Sequence, residues 1–289
     1  MTDPYLIEGP ALISFSGGRT SAYLLKHVLD TYGGTLPGNV IACFANTGKE
    51  MPQTLDFVRD CGRHWNVTVV WLEYDPAGES QRKFRVVDHG TASRQGEPYE
   101  ALLRERKYLP NPVSRFCTTT LKIRVMRDYA RSLGWEHWTN AIGLRYDEAC
   151  RVAKIKDQRE RWETTAPLYN ASVTKEMIAA FWAEQPFDLG LPNIGGKTPA
   201  GNCDLCFLKS AKTISALLRT DPSLADWWIR MEEEARPSKP LGAFFRKDRP
   251  SYRQLREAVE RQCDWISASE TPWPNASAMT EAASHAHAA

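Results

Sequence analysis

The chain has 289 residues, 42% of them hydrophobic and 25% charged, which is the balance of a folded globular protein and excludes a disordered chain. Lys and Arg number 37 against 35 Asp and Glu, so the net charge of +2 excludes a general basic coat for nucleic acid but not a local basic stripe. No apolar run approaches the roughly 20 residues that span a bilayer, and Met1–Pro4 begins no secretory leader, so we expect a cytoplasmic protein without membrane contact.

The first quarter of the chain alternates short apolar runs with amphipathic segments. The apolar runs predict strands at 11–15, 39–45 and 67–72, and apolar residues at helical spacing predict helices at 20–29 and 52–65. Such alternation is typical of βαβ units. The sequence therefore predicts an α/β fold, a three-layer Rossmann-like parallel sheet with helices on both faces.

The rest of the chain is less regular. The polar segment 75–112 contains several basic residues and glycines, and we interpret it as an insertion or a lid, partly helical near 99–106. Further along, the pattern predicts a helix at 118–133, a strand at 137–143, and helices at 174–183, 209–219, 224–235 and 251–264. We therefore divide the chain into a main domain at 1–200, a C-terminal helical and cysteine-containing lobe at 201–267, and a disordered tail at 268–289.

A glycine turn follows the first predicted strand and precedes the first predicted helix. Glycines let a phosphate approach the backbone, and the helix N-terminus aims free N–H groups at it. Hydroxyl groups and an arginine in the turn add donors. The spacing differs from that of a Walker A loop or a dinucleotide turn. We predict a phosphate site formed by Ser16, Gly17, Gly18, Arg19, Thr20 and Ser21.

Charged residues gather after later strand ends, where ligands of open parallel sheets bind. Lys122, Arg145 and Arg151 are candidates to neutralise phosphate or sulfate in a reaction. Asp147 and Glu148 are candidates to hold Mg²⁺ through water or to bind a ribose hydroxyl. Each of these charges could also be a solvated surface residue, and only their position after strand ends favours a site.

Four segments resemble one known family. The glycine turn is similar to the Ser-Gly-Gly-x-x-Ser loop of the PP-loop ATP pyrophosphatases, and the other three segments resemble the phosphoadenylyl-sulfate (PAPS) reductase-like branch of that superfamily. The first of these is 44–54, with Phe44, Asn46, Thr47 and Gly48. The second is 117–122, a Cys-x-x-x-x-Lys helix start. The third is 143–151, a Gly-x-Arg-x-x-Glu-x-x-Arg loop beginning at Gly143. The resemblance spans about 11–206 and implies a HUP-type sheet that binds ATP, PAPS or adenylyl sulfate (APS).

Three of the seven cysteines form one candidate metal set. Cys203 and Cys206 stand at i and i+3 just before a predicted helix, and Cys117 precedes Cys203 by 86 residues. Three thiolates from two segments could hold a [4Fe–4S] cluster, and the resemblance implies such clusters in PP-loop sulfur transferases. A structural zinc or a redox pair are the alternatives. Cys150 is a weaker ligand candidate, and Cys43, Cys61 and Cys263 are interpreted as packing residues.

The resemblance implies an AMP-forming, ATP-dependent iron–sulfur enzyme that transfers sulfur to a nucleic acid or nucleotide. Its expected partners are an adenine nucleotide, a tRNA or DNA acceptor, a sulfur donor protein or sulfide, and a second copy of the chain in a homodimer. One alternative is a PAPS or APS reductase, but the Glu-Cys-Gly-Leu-His tail of those enzymes is absent. The other alternative is a non-catalytic nucleotide-binding subunit of a modification complex.

Overall fold

The computed structural model describes residues 3–78, 82–155, 162–235 and 243–269, the last seven by their backbone alone. Within these ranges six strands form one sheet: β1 (Ala11–Ser14), β2 (Val40–Asn46), β3 (Val69–Tyr74), β4 (Phe84–Val87), β5 (Thr139–Ile142) and β6 (Glu163–Thr165). Their order is β4-β3-β2-β1-β5-β6, with every neighbouring pair parallel except β3 and β4. The predicted parallel α/β sheet is confirmed.

The described helices are α1 (Arg19–Thr31), α2 (Pro52–His64), α3 (Glu97–Arg106), α4 (Phe116–Thr118), α5 (Val125–Ser132), α6 (Ala149–Ala153), α7 (Pro167–Asn170), α8 (Lys175–Glu184), α9 (Ala211–Thr220), α10 (Ala225–Ala235) and α11 (Tyr252–Ser269). A π-helical turn at Thr119–Arg124 links α4 to α5, so the predicted helix at 118–133 is one continuous helical run with a widened turn.

Helices cover both faces of the sheet. On one face α1, α2 and α8 contribute fully or nearly buried side chains such as Leu25, Phe57 and Trp182. On the other face the core runs from Leu12 of β1 through α3, α5 and the three C-terminal helices α9, α10 and α11. The C-terminal helices therefore share a hydrophobic core with the sheet, although the sequence places them in a separate lobe.

The sequence pattern does not predict two of the strands, β4 and β6, because both lie at sheet edges. β4 alternates Phe84 with exposed Arg85 and Val86, and β6 is the three-residue run Glu163–Thr165. An edge strand needs no continuous apolar run, since only one side of it pairs with a neighbour. The segment interpreted as an insertion or lid thus supplies β4 and the buried helix α3.

Two other expectations concern the end of the chain and membranes. α11 continues to Ser269, five residues beyond its predicted end, and the remainder of the predicted disordered tail lies outside the described residues. Among the described helices, none combines the length and the apolar character that crossing a bilayer requires.

Candidate functional site

The glycine turn joins the end of β1 to the start of α1, as the sequence predicts. The Ser16 backbone N–H donates to the Ser21 hydroxyl at 3.1 Å, and that hydroxyl donates to the Gly18 carbonyl at 2.9 Å. Ser21 is therefore the internal brace of the loop. The helix begins at Arg19 with no side chain capping its N-terminus. The positive end of the helix dipole and the first N–H groups are thus available to an anion.

The two glycines of the turn have different duties. Gly17 has a φ of +74°, and a Cβ there would lie 2.7 Å from Thr54 Cγ2. Only glycine allows the loop to pack this closely against α2. A Cβ at Gly18 would meet only Ser16 Oγ, at 3.9 Å. Gly18 therefore leaves space in front of the loop, where a ligand can approach the backbone.

Two adjoining cavities open at the carboxyl ends of β1 and β5. A polar cavity of about 540 Å³ is bordered by the glycine turn and by the loop after β5. An apolar cavity of about 390 Å³ lies over β1, β5 and β6, below the π-helical turn. The two share Ser14, Ser16, Ile123 and Ile142 as walls. They form one cleft at the point where the strand order reverses, between β1 and β5, which is the usual ligand position in such sheets.

Two arginines that follow β5 line the polar cavity, Arg145 in the loop and Arg151 on α6. The Arg145 guanidinium donates two hydrogen bonds to the Asp147 carboxylate, with Nε 2.8 Å from Oδ1 and Nη2 2.9 Å from Oδ2. Its Nη1 lies 3.3 Å from Thr20 Oγ1. This contact lowers the pKa of Asp147 and raises that of Arg145. Arg151 pairs with Glu148. Arg145, Arg151 and Glu148 line the cavity, so an incoming phosphate would meet cations that hold partly exposed partners.

Arg19 lines the same cavity but already has partners. Its Nε donates to Asp188 Oδ1 at 2.6 Å, and its Nη2 donates to the Leu191 carbonyl at 2.9 Å. The Arg19 guanidinium, which is predicted to bind phosphate, thus already binds the loop that follows α8. In this arrangement the guanidinium links the start of α1 to that loop. The same cavity is also lined by Arg145, Arg151 and Lys175.

The predicted ligand-binding residues at the end of β2 and just after it are buried and line neither cavity. Asn46 Nδ2 donates to Glu73 Oε1 at 2.6 Å, and Thr47 Oγ1 donates to Glu50 Oε2 at 2.8 Å. The Phe44 ring is 1% exposed, and a Cβ at Gly48 would lie 3.0 Å from the Gly96 backbone. These four predicted ligand-binding residues therefore shape the loop from inside.

Three cysteines come together next to this loop. Cys203 forms an antiparallel bridge with Glu50, and its Sγ lies 3.4 Å from Thr47 Oγ1. Burial raises the pKa of the Cys203 and Cys206 thiols, and each is raised further by a neighbouring thiol, Cys206 for Cys203 and Cys117 for Cys206. Cys203 is thus a neighbour of Cys206, and Cys206 of Cys117, and their role as one metal set stays a prediction.

Two ammonium groups lie beside these thiols. Lys122 Nζ is 3.4 Å from Glu50 Oε1; burial opposes its charge, but Glu50, Cys203 and Cys206 outweigh it and raise the pKa of Lys122. Lys209 Nζ donates to three carbonyls of the loop at 201–206 (the cysteine loop), including that of Cys203 at 2.6 Å. Burial lowers the pKa of Lys209. Cationic charge is thus available to thiolates at this position.

Asp204 anchors the cysteine loop in the protein interior. Its Oδ2 lies 2.9 Å from Lys49 Nζ, and its Oδ1 accepts a hydrogen bond from Trp228 Nε1 at 2.8 Å. The Asp204 N–H also donates to the Lys49 carbonyl at 2.7 Å. The side chains of Lys49 and Asp204 are 9% and 6% exposed. The loop is therefore fixed both to the residues after β2 and to α10.

The metal prediction fits the donor chemistry but not a finished ligand geometry. Throughout the described ranges, no three His, Cys, Asp or Glu side chains are spaced to hold a metal ion. Cys117, Cys203 and Cys206 are nevertheless free thiols that lie close together, which is a soft donor set. Cys150 is free and exposed, whereas Cys43 and Cys61 are buried. The side chain of Cys263 lies outside the described residues.

Several cleft residues were missed by the sequence analysis. Ser14 and Asn140 line the apolar cavity, and the Ser14 hydroxyl donates to Asn140 Oδ1 at 2.7 Å. Their signal was a polar residue inside an otherwise apolar strand. Trp138 and Trp162 line the same cavity, with ring centroids 5.1 Å apart. Lys175 at the polar cavity gave no local signal, because only the tertiary fold brings α8 to the cleft.

Comparisons with known proteins give one relative by sequence. No protein-family model matches the chain. The chain is 31% identical over 220 residues to the uncharacterised nin region protein ORF290 of Escherichia phage lambda, a match that covers 74% of this chain and 71% of that protein.

Two solved structures are similar at low identity. The PAPS reductase from Candida auris, in a phosphate complex, has 18% identity and a TM-score of 0.40, covering 65% of this chain and 81% of that one. The U34-tRNA thiolase NcsA from Methanococcus maripaludis, with its [4Fe-4S] cluster, has 14% identity and a TM-score of 0.39, covering 88% and 72%. Both superpositions are loose, and neither assigns a role to any residue of this chain.

The chain's own topology defines its fold. The parallel part of the sheet has the order β3-β2-β1-β5-β6. The Ser-Gly-Gly turn follows the central strand β1, and the loop that carries Arg145 (the arginine loop) follows its neighbour β5. The chain belongs to the family of the phage lambda nin region protein ORF290, and its fold is an α/β sheet of mostly parallel strands flanked by helices.

Proposed function

We propose that the cleft binds an adenine nucleotide, with the phosphates in the polar cavity and the base in the apolar cavity. Together the two cavities have the volume and the division into polar and apolar walls that a nucleotide needs. The open N-terminus of α1 would receive a phosphate, and Arg145 and Arg151 would neutralise its charge. Glu148 lines this cavity and Asp147 lies beside it, and their carboxylates suit Mg²⁺.

We further propose that the nucleotide is ATP and that it is cleaved between the α and β phosphates. Adenylation would activate an oxygen of the acceptor, and a sulfur nucleophile would then displace AMP. The protein contributes positioning and charge neutralisation, which require a fixed loop and cations near the leaving pyrophosphate. The glycine turn, braced by Ser21, supplies the fixed loop.

The observation that carries this proposal is the position of Lys122. It lines the apolar cavity, and its ammonium group lies beside Glu50 and within the field of Cys203 and Cys206. A single side chain thus forms the boundary between the cleft and the thiols. A nucleotide-activated acceptor and a sulfur atom held at the thiols would be neighbours.

Cys117, Cys203 and Cys206 would hold the metal centre, for which we propose a [4Fe–4S] cluster with three protein ligands. Such a cluster, when bound, supplies an iron position that is open to sulfur. The donors present fit this group in kind, since they are three free thiols with two ammonium groups beside them. Free thiols and such a cluster belong in a reducing compartment, which is the cytoplasm.

The acceptor in this proposal is a nucleic acid, with tRNA and DNA as the classes to be tested, or a free nucleotide. The test is to incubate the anaerobically purified protein with ATP, Mg²⁺, sulfide and each acceptor, and to measure AMP and pyrophosphate. We expect equal amounts of both, and sulfur in the acceptor. Formation of ADP and phosphate, or no cleavage with any acceptor, would contradict the proposal. Sulfite release from PAPS or APS would instead indicate a sulfonucleotide reductase.

The metal centre needs its own measurement. We expect iron and acid-labile sulfide in the purified protein and a broad visible absorption that Cys203→Ala removes. Cys150→Ala is the matched control, because this thiol is free but exposed. Zinc in place of iron, or equal iron in both variants, would contradict the cluster.

A further inference from the structure

The floor of the apolar cavity carries polar side chains on three neighbouring strands. Ser14 of β1, Asn140 of β5 and Thr164 of β6 line it, and Asn140 lies directly opposite Thr164 in the ladder. Most of the other walls are apolar, and they include Trp138 and Trp162, whose rings are stacked with centroids 5.1 Å apart. In such a pocket a few placed polar groups determine which ligand binds and in which orientation. The three polar side chains are therefore the candidates for recognising a flat ring bound here.

Ser14 holds the Asn140 amide in one orientation. The Ser14 hydroxyl donates to Asn140 Oδ1 at 2.7 Å, and its other neighbour, Met126 Sδ at 3.6 Å, is only a weak acceptor. Both side chains are half-buried, and among the described residues none accepts a hydrogen bond from Asn140 Nδ2. Oδ1 also keeps a second lone pair. The amide therefore offers a free donor beside a free acceptor at the cavity wall.

This donor and this acceptor match an edge of adenine. The adenine amino group is a donor, and the ring nitrogen beside it is an acceptor, so an asparagine amide can bind both at once. Guanine has a carbonyl oxygen in place of the amino group, and that oxygen would face Asn140 Oδ1 with no hydrogen atom between them. An amide whose orientation is fixed by Ser14 therefore favours adenine over guanine.

We propose that Asn140 recognises the base of the nucleotide and that Ser14 is a positioning residue that sets the Asn140 amide for adenine. Asn140 Nδ2 donates to a ring nitrogen, and Oδ1 accepts from the amino group. The assignment rests on the proposed function, which places the base in the apolar cavity and the phosphates in the polar cavity. It adds the source of selectivity, because a site built to hydrogen-bond a group discriminates against an analogue that lacks it.

The first test compares Asn140→Val with Thr164→Val in the full-length chain. Both put a valine at paired positions of the cavity floor, but only the first removes an amide. Calorimetry without Mg²⁺ measures binding of ATP and of tripolyphosphate, which has phosphates but no base. We expect Asn140→Val to weaken ATP binding about 10-fold and to leave tripolyphosphate binding unchanged. Thr164→Val should change neither affinity, whereas Arg145→Gln at the polar cavity should weaken both.

Base analogues test the individual hydrogen bonds. In 1-deaza-ATP and 7-deaza-ATP, carbon replaces one of the two ring nitrogens beside the amino group. The wild type should bind one of these analogues about 10-fold more weakly than ATP, and Asn140→Val should bind that analogue and ATP alike, because both changes remove the same hydrogen bond. The wild type should also prefer ATP to GTP about 10-fold. Ser14→Ala should reduce this preference without changing tripolyphosphate binding.

Failure of this assignment is distinguishable from failure of the nucleotide site. Equal binding of ATP, GTP and both deaza analogues by the wild type would refute base recognition by Asn140 and leave the nucleotide site intact. Equal losses of ATP and tripolyphosphate binding in Asn140→Val, or of ATP binding in both valine variants, would refute it as well. An unchanged preference in Ser14→Ala would refute the positioning role. A wild type that binds neither ATP nor tripolyphosphate would refute the proposed function and this assignment with it.

Discussion

The cleft and the thiol region are neighbours, but they hold their charges in different ways. At the cleft, the acids paired with Arg145 and Arg151 are Asp147 and Glu148, whose side chains are 42% and 16% exposed. At the thiols, the paired carboxylates of Glu50 and Asp204 are 1% and 6% exposed. Exposed pairs contribute little and exchange easily, whereas a broken buried pair leaves an uncompensated charge. The first arrangement suits a ligand that comes and goes, and the second suits a resident group.

The largest effect should come from the buried pair. We expect Asp204→Ala to lower the free energy of unfolding by about 3–5 kcal/mol, because Lys49 would remain charged in the interior. Urea denaturation measures this. Asp248→Ala, which removes an exposed partner of Arg246, is the control and should leave the midpoint near the wild type. Equal midpoints for the two variants would remove the contrast between the regions.

The second effect concerns the fixed half of the cleft. Gly17→Ala would force a Cβ to within 2.7 Å of Thr54 at a positive φ, and we expect a loss of about 2 kcal/mol or more. Gly18→Ala should keep the wild-type stability but weaken nucleotide binding, because its Cβ would point into open space before the loop. Similar stability of both variants would contradict the distinction between Gly17, which packs closely against α2, and Gly18, which faces open space.

A third experiment tests whether the exposed pair exchanges with a ligand. Arg145→Gln should weaken binding of a fluorescent ATP analogue about tenfold or more, the value of a lost charge-assisted hydrogen bond. Without Mg²⁺, Asp147→Asn should strengthen it severalfold, because the Arg145 guanidinium would lose its internal anion. Both shifts should shrink at high salt. With Mg²⁺ present, this gain should be lost, because the same carboxylate is proposed to hold the metal ion for the nucleotide. A gain of equal size with and without Mg²⁺ would contradict the metal role of Asp147.

The smallest effect lies outside both regions and calibrates the stability measurements. His27 on α1 stacks on Tyr5 and packs at a tilt against Tyr23. Its Nε2 is buried without a partner among the described residues, and burial lowers its pKa. The unfolded chain therefore takes up a proton at this position more readily than the folded chain. Stability from His27 is intact above its usual pKa of about 6.5 and is lost as pH falls below it.

His27→Phe keeps the aromatic packing and removes the titration. The difference in urea midpoint between this variant and the wild type should move in favour of the variant between pH 7.5 and pH 5.5. A constant difference across this range would show that His27 does not contribute to acid destabilisation.

The sequence predicts the fold well where burial is continuous. β1, β2 and β3 are apolar runs covered on both faces, and their pattern suffices to place them. β4 and β6 are edge strands, and nothing in a short polar run distinguishes such a strand from a loop. The sequence also predicts that the glycine turn and the arginine loop lie at the same edge of the sheet, because each follows a predicted parallel strand.

Side-chain partners far apart in sequence were beyond prediction. The Arg19 guanidinium looks like a phosphate ligand from its place in the turn, but its partner Asp188 is 169 residues away. The spacing of the three cysteines likewise gives no sign of the donors around them, such as Thr47, which precedes Cys203 by 156 residues.

The bridge between the loop after β2 and the cysteine loop also bears on how the chain assembles. Thr47 and Cys203 are 156 residues apart, and Lys122 meets Glu50 across 72. Closing such long loops costs entropy that is recovered only when the contacts form, so they belong to the late stages of folding. On the ribosome, Cys117 is made well before Cys203 and Cys206 exist. The thiols can therefore act as a set only after residue 206 has been made and the loop that carries Cys203 has packed against Glu50 and Lys49.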